Sequence, residues 1–211
     1  MTVVFKLGGS LMSLSGLAKF LRDALELRSS DRCLVIAGGG ESADIVRKWS
    51  QLHELSDEDA HWLALSSLDL NRLLIQKMLK FHCVGSRADA ELFWGKDHLP
   101  LLLNLKEFVE AEEACRSEQL PHDWSVTSDS LAAWTAILWP ANELVLLKSI
   151  PSPVGQTAEQ ASQNELVDDY FPQIAKHLPQ ISWCNIRASK IVIEPWLSTT
   201  IDFSEKSDGE N

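Results

Sequence analysis

Lys6 stands near the end of a short apolar run and is followed, after Leu7, by Gly8-Gly9-Ser10. A second cluster, Gly38-Gly39-Gly40, ends another apolar run, and the two clusters hold five of the ten glycines in the chain. Glycine at a strand end lets backbone approach a ligand closely. A helix starting there presents unpaired N–H groups and the positive end of its dipole, which together hold anions. A lysine projecting from the strand itself suits a fixed cation that reaches a phosphoryl group. The third segment, Thr127-Ser128-Asp129-Ser130, leads into Leu131-Ala132-Ala133. Thr127 or Ser128 can cap a helix here with Asp129 in its first turn, and the small residues allow close packing that holds Asp129 at a site rim. Each feature has a plainer reading: a tight turn, a solvated edge lysine, a simple cap. Neither cluster is a Walker A loop, because GxxxxGK(S/T) is absent, and neither is the GxGxxG dinucleotide fingerprint.

These residues need a scaffold, and the alternation of β-like and helical runs supplies one: an α/β fold of three layers with a largely parallel central sheet. Thr2–Leu7 and Cys33–Ala37 read as strands, each ended by glycines. Ser15–Leu27 and Glu41–Gln51 read as the helices that follow them. Ser56–Phe81 is one long helical stretch, broken at most once, opening on Asp57, Glu58 and Asp59 as suits a helix N-terminus. Pro100–Leu103 reads as a short strand before a helix through Phe108 and Val109, Ser128–Leu138 as a helix and Glu143–Ile150 as a buried strand. Pro151–Asn164 reads as a polar loop, Glu165–Leu178 as a helix, and Lys190–Ile193 with Thr199–Ile201 as a late strand pair. Residues 1–203 form one domain in this reading, and 204–211 an acidic, flexible tail. In an open sheet of this kind ligands bind beyond the carboxyl ends of the strands, where both glycine clusters fall.

Composition narrows the function classes. A formal net charge of -11 without a run of Lys and Arg disfavours nucleic acid as a partner. The N-terminus lacks the pattern of a secretory signal, and no apolar stretch reaches the ~20 residues of a membrane span. Four scattered cysteines, Cys33, Cys83, Cys115 and Cys184, without a CxxC pair, fit reduced thiols of a cytoplasmic protein. Six histidines share no ligand-like spacing, so no protein-held metal is expected; His61 or His122 can touch an acceptor. Trp124 and Trp134 flank the TSDS segment and can wall an aromatic one.

FKLGGS, IAGGG, TSDSLAA and LVLLK occur here in that order, and over residues 2–150 the chain resembles the amino acid kinase superfamily. The longer segment DWSVTSDSLAAW is most similar to the aminomethyl-furanmethanol phosphate kinases of methanofuran biosynthesis. The resemblance implies ATP with Mg2+, a small-molecule phosphate as acceptor, and a homo-oligomer. It implies that Lys6 bridges the transferred group, that Gly8, Gly9, Ser10 and Lys148 serve the nucleotide, and that Asp129 orients the catalytic lysines. It places Gly38, Gly39, Gly40, Thr127 and Ser128 with the acceptor. The chain departs from the family after Lys148, where Ser149-Ile150-Pro151 replaces the usual Thr-Asp-x-x-Gly, and it has no Gly-Met-x-x-Lys segment. Lys176 and Lys148 are the candidates for the second lysine. Two alternatives stay open: a non-catalytic anion- or nucleotide-binding relative, and another acceptor specificity such as that of a uridylate kinase.

Overall fold

The computed structural model describes residues 1–117 and 119–198. The expected strand Thr199–Ile201 and the expected acidic tail 204–211 lie outside the described residues. Seven strands form one sheet in the order β3-β4-β2-β1-β5-β6-β7. They are β1 (Thr2–Leu7), β2 (Arg32–Ala37), β3 (His82–Val84), β4 (Leu101–Leu103), β5 (Glu143–Lys148), β6 (Gln180–Asn185) and β7 (Glu194–Ser198). All neighbours run parallel except β6 and β7. The helices are α1 (Leu17–Glu26), α2 (Glu41–Leu52), α3 (Asp57–Leu79), α4 (Arg87–Trp94), α5 (Leu105–Ala114), α6 (Ser128–Leu138), α7 (Ala158–Gln163) and α8 (Phe171–Ala175).

Strand parity sorts the core into two layers. Val4, Leu34, Ile36, Leu144 and Leu146 pack on one face against α5, α6 and α8. Val3, Phe5, Leu7, Val35, Val145 and Leu147 pack on the other against α1 and the last turns of α3. Because both faces are covered, the central strands read as nearly unbroken apolar runs. Each fully buried Leu, Ile or Phe contributes roughly 2 kcal/mol of transfer free energy. That burial fixes the height of β1 and β5, and so of the lysines at their carboxyl ends.

α3 runs for 23 residues without a break, since no glycine or proline interrupts it. Ser56 caps it by accepting from the Asp59 N–H at 3.1 Å, and it ends at Lys80 with φ 61°. Three expectations need correction. Glu165–Leu178 is not a continuous helix: Glu165 has φ 56°, Pro172 starts a new turn, and only Phe171–Ala175 is helical. Within Pro151–Asn164, Thr157 and Gln160 form a capping box that starts α7. The strand expected at Lys190–Ile193 comes instead at Glu194–Ser198, antiparallel to β6, which the sequence reading did not find.

Candidate active site

Lys6 is paired in register with Leu146, so strand alternation puts Lys6, Leu146 and Lys148 on the same face of the sheet. α6 crosses that face on Ala132, Ala133 and Ala136, all fully buried, which brings its first turn down onto the strand ends. Asp129 consequently sits between the two amines. Lys6 Nζ lies 2.8 Å from Oδ1 and Lys148 Nζ 2.8 Å from Oδ2. Lys148 also donates to the Leu166 carbonyl at 2.7 Å and lies 5.4 Å from the Trp183 ring centroid. Asp129 is 6% exposed, so it is an interior residue rather than the rim residue expected.

Burial alone would raise the Asp129 carboxyl, but Lys148 and then Lys6 outweigh it and hold the group at about 2. For Lys148 burial is the larger effect; Asp129 opposes it, Lys6 reinforces it, and the amine falls to about 8. Two amines thus face one carboxylate directly, with the Asp168 carboxylate also acting on Lys148.

The glycine loops meet each other beside this group. Gly8 N–H donates to the Leu147 carbonyl at 2.9 Å and Gly38 N–H to that of Leu7 at 2.8 Å, extending the strand ladders into the loops. A Cβ on Gly9 would stand 2.0 Å from the Gly40 nitrogen, and Gly40 has φ 54°, so neither position admits a side chain. Asn71 of α3 fixes the second loop, donating to the carbonyls of Gly38 at 2.7 Å and Gly39 at 2.6 Å. Among the described residues the N–H groups of Gly39 and Gly40 donate to no protein acceptor. They stand at the N-terminus of α2, where an anion is favoured. Ser10 lies on the opposite side of Lys6, its hydroxyl 3.3 Å from that of Ser149 and its carbonyl 3.4 Å from Arg187 Nη2.

Thr127 occupies the N-cap position of α6, as expected, but its side chain accepts no N–H there. Asp168, from the segment before α8, supplies the accepting carboxylate across space. It accepts from the N–H groups of Thr127 at 3.0 Å, Ser130 at 2.9 Å and Phe171 at 3.0 Å, and from the Thr127 hydroxyl at 2.8 Å and the Ser130 hydroxyl. Thr127 is thus the N-cap residue, but it donates to the Asp168 carboxylate instead of accepting from the helix. Burial and the nearby Asp129 raise the Asp168 carboxyl, against those hydrogen bonds.

Gly39, Gly40, Thr127 and Ser128 line one wall of a cavity of about 160 Å³. Leu65, Leu68, Val126 and Leu131 make it largely apolar, and Trp124 closes one side under the Arg47 guanidinium, 4.5 Å from its ring centroid. His61, 6% exposed, lines the far wall. Trp134 is not part of it; that ring packs on Phe108 at 6.0 Å. Lys176 lies away from Asp129, along a groove with Glu159 and Pro172. Lys6, Asp129 and Lys148 are therefore brought into one group, with the two glycine loops and Thr127-Ser128 around it. Sequence reading missed Asp168, Asn71 and Arg187. Among the described residues no group of three or more His, Cys, Asp or Glu side chains is placed to hold a metal, and no helix is long and apolar enough to cross a membrane.

Known proteins share this fold. The sequence profile of the amino acid kinase family matches residues 1–152. A (5-(aminomethyl)furan-3-yl)methyl phosphate kinase of Methanocaldococcus jannaschii is 25% identical over 184 residues, 82% of each chain. The crystal structure of a uridylate kinase from Archaeoglobus fulgidus superimposes with a TM-score of 0.60 at 16% identity, over 87% of this chain and 90% of that one. A UMP kinase from Ureaplasma parvum gives 0.64 at 13% identity, over 90% and 92%.

Proposed function

The chain belongs to the amino acid kinase family and is a small-molecule kinase, an ATP-dependent phosphotransferase; on that premise we propose that its acceptor is a small phosphomonoester, converted to a diphosphate. The observation that carries this is the state of Asp129. Both its oxygens are held by lysines and its carboxyl sits at about 2, so it cannot take a proton from a hydroxyl. A phosphomonoester needs no base, because its second pKa is about 6 and its oxygen is already anionic. That oxygen forms a bond to the γ-phosphorus, the bond from phosphorus to the β–γ bridging oxygen breaks, and ADP leaves with the electron pair.

Catalysis then reduces to positioning and charge neutralisation. Lys6 and Lys148 face the charge that develops on the transferred group, Lys148 serving as the second lysine from the end of β5. Gly9 and Ser10 hold the nucleotide's phosphates, with Gly8 anchored behind them on the Leu147 carbonyl. Gly39 and Gly40, with Thr127 and Ser128, hold the acceptor's phosphate, with Gly38 anchored behind them on the Leu7 carbonyl. Mg2+ would come with ATP, held largely by phosphate oxygens and water, and would neutralise charge on the transferred group.

Three carboxylates, Asp44, Asp57 and Asp123, line the acceptor cavity against one guanidinium. An acceptor with an ammonium group away from its phosphate and a flat ring between them fits that lining. The aminomethylfuran phosphate named for the Methanocaldococcus relative is such a compound, and we take it as the acceptor. Residues 1–203 act as one domain. Self-association engages the stripe Leu70, Leu73 and Leu74, 40–60% exposed on α3. Four free cysteines and dependence on ATP suit the cytoplasm.

The test is a coupled ADP-release assay with this compound and with UMP. Turnover with the furan phosphate, lost in Lys6→Ala, is the expected result. Turnover with UMP alone would replace the acceptor assignment, and stabilisation by a phosphate without turnover of either compound would favour a non-catalytic relative.

A further inference from the structure

His61 and His122 stack with ring centroids 4.1 Å apart and planes 6° apart. Their surroundings are opposite. His122 Nδ1 lies 2.6 Å from a Glu58 oxygen and Nε2 3.0 Å from an oxygen of the buried Glu113. Carboxylates only accept, so both nitrogens of His122 donate and the ring is an imidazolium. Burial alone would lower its pKa, but Glu58 and Glu113 outweigh that and raise it. His61 has no such partner. Its Nε2 is buried with no hydrogen bond, and its ring stands at the wall of the acceptor cavity.

A second positive charge cannot form 4.1 Å from the first in an apolar wall. Burial first and His122 second push His61 down to about 4, with Glu58 and Asp123 opposing weakly. His61 is therefore neutral at physiological pH, with one N–H and one lone pair. A buried polar atom left unpaired costs about 1–3 kcal/mol, which a core-filling Phe or Leu would avoid. The cost is recovered where a ligand supplies the partner. Stacking on a ring pinned at both nitrogens fixes the plane of His61 before any ligand arrives.

We propose that His61 is the specificity-determining residue of the acceptor cavity, hydrogen-bonding the acceptor at the end away from its phosphate, with His122 as the charged plate that holds it in position. The inference rests on the reading of this cavity as the acceptor site. It deepens that reading, because a neutral imidazole selects an acceptor with a polar group at that depth over one that is apolar there.

The test separates the two ideas. The KM for acceptor, the KM for ATP and kcat are measured for the wild type, His61→Phe and His61→Asn, with the furan phosphate and UMP as acceptor probes. The expected result for His61→Phe is an acceptor KM raised about tenfold, with kcat and the ATP KM within about twofold and no loss of thermal stability. His61→Asn recovers part of the affinity, since its amide can meet the same group. An unchanged acceptor KM in a folded His61→Phe overturns the proposal, as does an equal rise in both KM values. If His61→Phe does not fold, His61→Asn is judged by the same split, with an acceptor KM raised about threefold expected. Turnover of UMP but not of the furan phosphate sinks the acceptor assignment and leaves His61 to be judged on UMP. Wild-type inactivity with both overturns both ideas.

Discussion

Lys148 Nζ stands 2.8 Å from Asp129 Oδ2, the mirror of the 2.8 Å contact that Lys6 makes with Oδ1. The relationship joins the ends of two neighbouring strands through the first turn of a helix. It is why we propose Lys148 as the second lysine, although no motif around it announces that role.

Replacing Lys148 by Met removes one of the two charges that we propose face the transferred group. We expect kcat to fall about 10²- to 10³-fold with the fold intact, because the remaining Lys6–Asp129 pair is neutral overall. ADP release and thermal unfolding measured on the same preparation check both halves. A kcat within about threefold of wild type would remove Lys148 from the site.

Asp129→Asn should act the other way round. It leaves two buried ammonium groups facing each other without a counter-charge, at a cost of about 3–5 kcal/mol. Denaturant titration should show that loss, and pyrophosphate or ATP should restore part of it by supplying the missing negative charge.

The depressed amine of Lys148 predicts a pH signature. In the free enzyme kcat/KM should fall as pH rises through about 8, following loss of one proton. Stability should move oppositely. The unfolded chain keeps the lysine protonated up to its ordinary 10.5, so it binds more protons than the folded one between about 8 and 10.5, and stability rises with pH across that window. Lys148→Met should abolish both trends.

Glycine tolerance should differ sharply with position. Gly9→Ala puts a methyl 2.0 Å from the Gly40 nitrogen, a backbone atom that cannot yield without moving the loop. Gly85→Ala meets the Glu107 carboxylate at 2.5 Å, the end of a flexible side chain. We expect Gly9→Ala to lose activity and stability together, and Gly85→Ala to keep activity within about twofold. Kinetics and melting temperature of the pair check this.

The central strands were legible from sequence because each is an apolar run closed by glycine or by turn residues. Lys6 and Asp129 were legible because lysine within a strand and acid after a hydroxyl run are unusual unless they do chemistry. β3 was missed because three residues, His82–Val84, carry no period to read. β6 was missed because Gln180 and Ser182 break its apolar run; Ser182 is buried and donates to Glu143. Asp168 caps α6 from 38 residues away, and the His61–His122 pair joins residues equally remote from local pattern. Such contacts exist only once the chain has folded. His61 did leave one signal, a histidine in the second turn of a helix whose N-terminus faces the site.

The contact between Gly9 and Gly40 couples the two halves of the reaction mechanically. One glycine belongs to the loop assigned to the nucleotide, the other to the loop assigned to the acceptor, and no side chain cushions them. We expect a shift of either loop on binding to be passed directly to the other. The affinities for the two substrates are then linked, and each alters the other's dissociation constant by the same factor.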